Sequence, residues 1–157
     1  MEKSQKYQAY YIENTEIYPY KYKNYKCHIT YRDGYHCGYV SLKPDSYVGM
    51  QIAKAIRLDS RRNGVFIVED KFEVHGGISF IDISKNNNIL IGFDCSHYGD
   101  LTKVIGHCSA ENATFKDKNF VKKELRSLVS QILEYEKNKN LNFNQERILW
   151  TSKYQKL

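Results

Sequence analysis

Between Phe120 and Lys137 the chain carries one unbroken helical stripe. Val121, Leu125, Leu128, Val129, Ile132 and Leu133 recur at helical spacing, and Lys122, Lys123, Arg126 and Glu134 fill the other side. This pattern predicts an amphipathic helix capped by Asn119 or Asp117, and its single apolar face needs a surface to cover it. The upstream sequence supplies one. Tyr25–Tyr31 and Tyr35–Leu42 are rich in aromatic and β-branched residues and are joined by Arg32-Asp33-Gly34, a strong hairpin signal. Gly38, inside the second run, marks a bulge or a close approach by another group. A second pair of runs, Glu73–Ile83 and Ile89–Phe93, flanks the polar loop Lys85-Asn86-Asn87-Asn88. The expected fold is therefore α+β: an antiparallel sheet built from two hairpins, with one long C-terminal amphipathic helix packed on it.

Pro44 breaks the first hairpin, after which Val48, Ile52, Ala55 and Ile56 predict a short helix over Tyr47–Leu58 with Asp45 or Ser46 at its N-cap. Residues 1–24 are polar and tyrosine-studded and read as an N-terminal arm, 25–137 as a single domain, and 138–157 as an Asn/Lys-rich tail. A chain of 157 residues is long enough to bury a core without covalent staples. The first residues contain no apolar core of a signal peptide, and no run approaches the roughly 20 apolar residues of a membrane span. The expectation is a soluble, cytoplasmic protein without membrane partners. Cys27, Cys37, Cys95 and Cys108 form no Cys-x-x-Cys pair, which excludes zinc-ribbon and thioredoxin-type sites. The formal charge of +6 gives mild attraction to anions.

The chemistry concentrates in Val74–Asp100. Val74-His75-Gly76-Gly77 opens the second hairpin, and Asp94-Cys95-Ser96-His97-Tyr98-Gly99-Asp100 leaves it. Antiparallel pairing brings those two outer ends together, so the expected site is a pocket at the open end of one hairpin, flanked by Cys37-Gly38. Several chemistries use these residue types. His75, Asp94, Cys95, His97 and Asp100 are metal-ligand types, but their spacing fits no standard zinc pattern, and neither metal nor cofactor is assigned. Cys95 with His75 or His97, oriented by Asp94 or Asp100, would make a nucleophile and base; the competing reading of Cys95 is a small buried hydrophobe. Binding without chemistry fits more of the cluster. Gly76-Gly77 lets a backbone approach an anion closely, Asp94 or Asp100 accepts from ribose or a base edge, Tyr39, Tyr98 or Phe93 stacks, and Arg61 and Arg62 pair with phosphate. A further alternative is single-stranded nucleic acid on the interleaved tyrosines and lysines of Tyr18–Lys26.

Three segments carry a resemblance: Cys37-Gly38-Tyr39-Val40, Val74-His75-Gly76-Gly77-Ile78-Ser79-Phe80 and Ile91-Gly92-Phe93-Asp94-Cys95-Ser96-His97-Tyr98-Gly99-Asp100. Together with the helix that begins at Phe120, they resemble a family of small phage and prophage proteins of unassigned function. Where that family has a tryptophan before Gly-Phe-Asp this chain has Leu90 and Ile91, and Ser96 stands for the common alanine. The resemblance implies a phage protein in the cytoplasm of an infected bacterium, where small proteins often counter host defence. The expected function is non-enzymatic binding of a small anionic, nucleotide-like ligand, sequestering a host immune second messenger. The alternatives are a nucleotide hydrolase using Cys95 with His75 or His97, and an interaction protein that inhibits a host defence enzyme. A homo-oligomer is compatible with each.

Overall fold

The computed structural model describes residues 15–59, 68–103 and 110–154, apart from the side chains of residues 58–59 and 141–154. Arg61 and Arg62, Cys108, and the N-terminal run Tyr10-Tyr11-Ile12 lie outside the described residues. Five strands form one antiparallel sheet: β1 Glu16–Tyr22, β2 Tyr25–Arg32, β3 Tyr35–Leu42, β4 Phe80–Ile83 and β5 Ile89–Asp94, in the spatial order β1-β2-β3-β5-β4. Helix α1, Tyr47–Asp59, follows β3, and helix α2, Lys118–Tyr154, closes the described chain. The α+β sheet-and-helix architecture is the one expected from the sequence. No helix among the described residues is long and apolar enough to cross a membrane.

The β2–β3 turn forms where Asp33-Gly34 predicts it. Both central residues have positive φ, 52° and 81°, the twist that a two-residue hairpin loop needs. Ser46 rather than Asp45 caps α1, its Oγ accepting from Gly49 N at 3.1 Å. Asp117 rather than Asn119 caps α2, its Oδ1 accepting from Phe120 N at 2.8 Å.

The core lies between α2 and one sheet face. Val121, Leu125, Leu128, Val129 and Ile132 are fully buried against Cys27, Ile29, Val40, Leu42, Ile91 and Phe93. Each such aliphatic side chain contributes roughly 1.5–3 kcal/mol by leaving water. Gly38 marks a close approach, not a bulge: the β2–β3 register runs through it unbroken, with Ile29 opposite Gly38. A Cβ there would sit 2.8 Å from the Phe93 ring and 2.9 Å from Val121 Cγ1, so only glycine lets the start of α2 come this near to β3.

Three segments differ from the sequence reading. The stretch expected to be a loose arm holds an edge strand over Glu16–Tyr22, with Pro19 tolerated because the strand lies at the sheet's edge. Its alternation places Tyr18, Tyr20 and Tyr22 against α2. There Lys118 Nζ lies 3.9 Å from the Tyr18 ring centroid, Lys122 Nζ 5.3 Å from Tyr20, and Arg126 Cζ 5.6 Å from Tyr22. These half-buried tyrosines form a seam between the edge strand and α2. The expected tail continues α2 as far as Tyr154. The third difference is the strand expected over Glu73–Ile83, which shrinks to Phe80–Ile83. Gly76 and Gly77 have φ of 69° and 85°, which no strand can propagate. The backbone of this segment bonds to α2 side chains instead. Glu73 N donates to Gln131 Oε1 and Gln131 Nε2 donates to Glu73 O, both at 2.8 Å, and His75 N donates to Glu124 Oε2 at 2.8 Å. Glu124 and Gln131 are seven residues apart, two helical turns, and so share a face.

Candidate functional site

Asp100 is the centre of the site. Its side chain is only 2% exposed, and four groups converge on it. His75 Nε2 lies 2.9 Å from Oδ1 and 2.8 Å from Oδ2. The His97 backbone N–H donates to Oδ2 at 3.0 Å, His97 Nδ1 stands 3.4 Å from the same oxygen, and Lys116 Nζ stands 3.5 Å from Oδ1. Local chain geometry explains the placement. Asp100 N donates to His97 O at 2.9 Å, closing a turn that folds the carboxylate back over the His97 amide. A short parallel bridge then pins Asp100 to Thr114, just before Lys116.

The two imidazoles stand edge to face, ring centroids 5.5 Å apart at 82°. His75 also meets the Phe120 ring edge-on at 5.2 Å, so the first turn of α2 walls one side. Gly76 makes the other contact possible. The His97 ring packs so closely over its Cα that any Cβ would overlap the ring, and its φ of 69° already favours glycine. The Gly77 Cβ direction is open. Asp94 joins at the edge: its Oδ2 accepts from Ser79 Oγ at 2.9 Å, its Oδ1 accepts from Ser96 N at 3.0 Å, and Oδ1 lies 3.9 Å from His97 Nε2.

The structure therefore gathers His75, Gly76, His97 and Asp100, with Asp94 and Gly77 beside them: the β4–β5 pairing brings the two hairpin ends together as far as Ser79, and the bonds to α2 place the turn before it. Tyr98 adjoins the cluster with its side chain in solvent, 93% exposed. Three expected members do not face the site: Phe93 is buried in the core, Tyr39 lies elsewhere, and Cys95 is near Asp100 but turned into the core. Tyr39 stacks on His28, centroids 4.7 Å apart, and meets Phe80 edge-on, on the sheet face away from α2. Cys95 is packed in the core. Sequence reasoning missed Lys116, Phe120 and Glu124 as members of the site. They approach from 16 to 49 residues away in sequence, and only the position of Phe120, next to the α2 stripe, was a signal.

Electrostatics separate the roles. Burial pushes the Asp100 carboxyl up, but the His75 hydrogen bond, the His97 amide and the charges of His75 and Lys116 outweigh it and hold the group below the usual carboxylate range. Asp100 is an anion at neutral pH. Burial, reinforced by the nearby negative charge of Asp100, pushes the Cys95 thiol up to about 12. Cys95 is therefore a neutral thiol, without the thiolate a nucleophile needs.

No protein-family model, curated protein or solved structure matches this chain.

Within the cluster, His75, His97 and Asp100 are the residues able to hold a metal ion, with one ligand atom from each lying within 4.8 Å of the others. The rest of the arrangement suits recognition. His75 and His97 side chains are 23% and 34% exposed, so both imidazoles reach solvent while the Asp100 carboxylate they share stays buried.

Proposed function

We propose that this chain is a non-enzymatic binding protein whose His75–His97–Asp100 site captures a small anionic, nucleotide-like ligand. The observation that carries the reading is the pairing of a solvent-reaching imidazole cluster with a core-buried, protonated Cys95. The cluster has hydrogen-bonding groups fixed in place, and the hydrolase reading lacks its nucleophile. His75, His97 and Lys116 offer donors to a phosphate, the open side of Gly77 leaves room beside the turn, and the exposed Tyr98 ring gives a base a face to stack on. Asp94, at the edge, can accept from a ribose hydroxyl. The resemblance to phage proteins supports a role in an infected bacterium, sequestering a second messenger of host immunity.

The test is retention without turnover. The purified chain is incubated with cyclic dinucleotides, cyclic oligonucleotides and cyclic ADP-ribose-type nucleotides, washed, then denatured, and the released material is analysed by mass spectrometry. Intact nucleotide recovered in stoichiometric amount supports the reading. Conversion to product, or co-purification with a host enzyme and no nucleotide retained, overturns it. A retained ligand should also raise stability by about 2.7 kcal/mol at a hundredfold excess over its dissociation constant, visible as a thermal shift.

A further inference from the structure

We propose that His75 Nε2, His97 Nδ1 and Asp100 Oδ2 form a three-ligand site for one divalent first-row transition ion, with coordination positions left for water or a ligand oxygen. Ligand atoms about 2.0–2.2 Å from such an ion stand roughly 3.0–3.5 Å apart in tetrahedral or octahedral geometry. Two of the three edges here are 2.8 Å (His75 Nε2 to Asp100 Oδ2) and 3.4 Å (His97 Nδ1 to Asp100 Oδ2). One ligand atom from each of the three residues lies within 4.8 Å of the others. Holding one ion needs the two imidazoles to draw together and the 2.8 Å edge to lengthen slightly.

Three further observations point the same way. His97 Nδ1 is buried and makes no hydrogen bond, its nearest acceptor being Asp100 Oδ2 at 3.4 Å, so its lone pair is free for a metal bond. On the far side of that ring, Asp94 Oδ1 lies 3.9 Å from Nε2, the place of the outer carboxylate that commonly orients a metal-bound histidine. The two Asp100 oxygens are also divided. Lys116 approaches Oδ1 at 3.5 Å, which leaves Oδ2 as the oxygen common to both imidazoles.

The donor set selects the ion class. Two imidazoles and one carboxylate suit zinc, cobalt, nickel, iron or manganese, whereas magnesium and calcium prefer all-oxygen sites. Among the described residues no thiolate takes part, because Cys27, Cys37 and Cys95 are buried. Ion binding replaces the hydrogen bond between His75 Nε2 and Asp100 with two metal bonds, the His75 proton moving to Nδ1. A bound ion would then supply the positive charge for a ligand phosphate, a second step that rests on the proposed ligand-binding function.

The test is cobalt(II) titration of the tag-free full chain after treatment with EDTA. One cobalt per chain by plasma mass spectrometry, visible d–d bands, and no near-ultraviolet sulfur-to-cobalt band are expected. His75→Gln and His97→Gln should each weaken binding by about tenfold or more, and Asp94→Asn by about tenfold, with unchanged far-ultraviolet circular dichroism. Failure to take up one equivalent, a thiolate band, or a folded His97→Gln variant that binds cobalt like the parent would each overturn the site. Cobalt bound with no nucleotide retained leaves the metal site standing and removes the ligand reading. Nucleotide retained by EDTA-treated protein that takes up no cobalt does the reverse.

Discussion

Gly76 and Gly77 are neighbours with similar backbone conformations, and the site asks different things of them. Both have positive φ, so alanine at either costs roughly 1–2 kcal/mol of left-handed strain. Only at Gly76 would the new methyl also displace the His97 ring. Gly76→Ala is therefore expected to destabilise more than Gly77→Ala in urea denaturation, and to shift His97 ring resonances that Gly77→Ala leaves in place. Equal effects would mean the ring contact is unimportant. His28 gives a second expectation at this scale. Burial lowers its imidazole below the usual 6.5, so the unfolded chain binds the proton more readily than the folded one. Its contribution is complete above about pH 6.5 and is lost as pH falls through the lowered folded value. His28→Phe keeps a ring on Tyr39 and should flatten the decline of the urea midpoint between pH 7.5 and pH 5; an unchanged slope would remove His28 as a cause. The thiols form a third case. Cys27, Cys37 and Cys95 are buried, and burial raises Cys27 to about 11 and Cys95 to about 12, so iodoacetamide should leave all three unlabelled in the native protein.

At the scale of elements, the strap from Glu73 to His75 is held on α2 by three side-chain bonds to its backbone. Gln131→Ala removes the pair at Glu73, which is exposed and can turn to water, so the global cost should be only about 0.5–1.5 kcal/mol. The local effect should be larger: amide hydrogen exchange at Glu73 and His75 should speed up before that of β5. Leu128, fully buried in the same helix, is the contrast. Leu128→Ala should cost about 2–5 kcal/mol and leave exchange uniformly faster. The strap also shows what the sequence could and could not reveal. Asp33-Gly34 and the Val121–Leu133 stripe each carry their own partner rule, one in turn geometry and the other in periodicity, and both elements formed where they were expected. Glu73–Ser79 looked like a strand because its residues alternate. Its partners are glutamate and glutamine side chains 49 and 58 residues away, on the polar side of a helix, where no local pattern marks them.

Across the whole molecule the candidate site sits where three separate segments meet: the Val74–Gly77 turn, the loop after β5, and the stretch from Thr114 to Phe120 that leads into α2. The His-Gly-Gly and Asp-Cys-Ser-His-Tyr-Gly-Asp segments identified two of the three from sequence. The third was silent because Lys116 is one lysine among many, and Tyr39 was wrongly included because strand alternation sends it to the opposite sheet face. The same long-range assembly appears along β1. Its tyrosines are spaced two residues apart, about 6.8 Å along a strand, and the cations of α2 four residues apart, about 6.0 Å along a helix. The two scales act as a vernier. They coincide at Lys118 and Tyr18, where the separation is 3.9 Å, and slip out of phase through 5.3 Å to 5.6 Å at Arg126 and Tyr22. A fourth rung would fall further out of step, and β1 in fact turns at Lys23, whose ammonium reaches Ser130 instead. The cation–ring contacts thus loosen along β1 toward the turn that ends it.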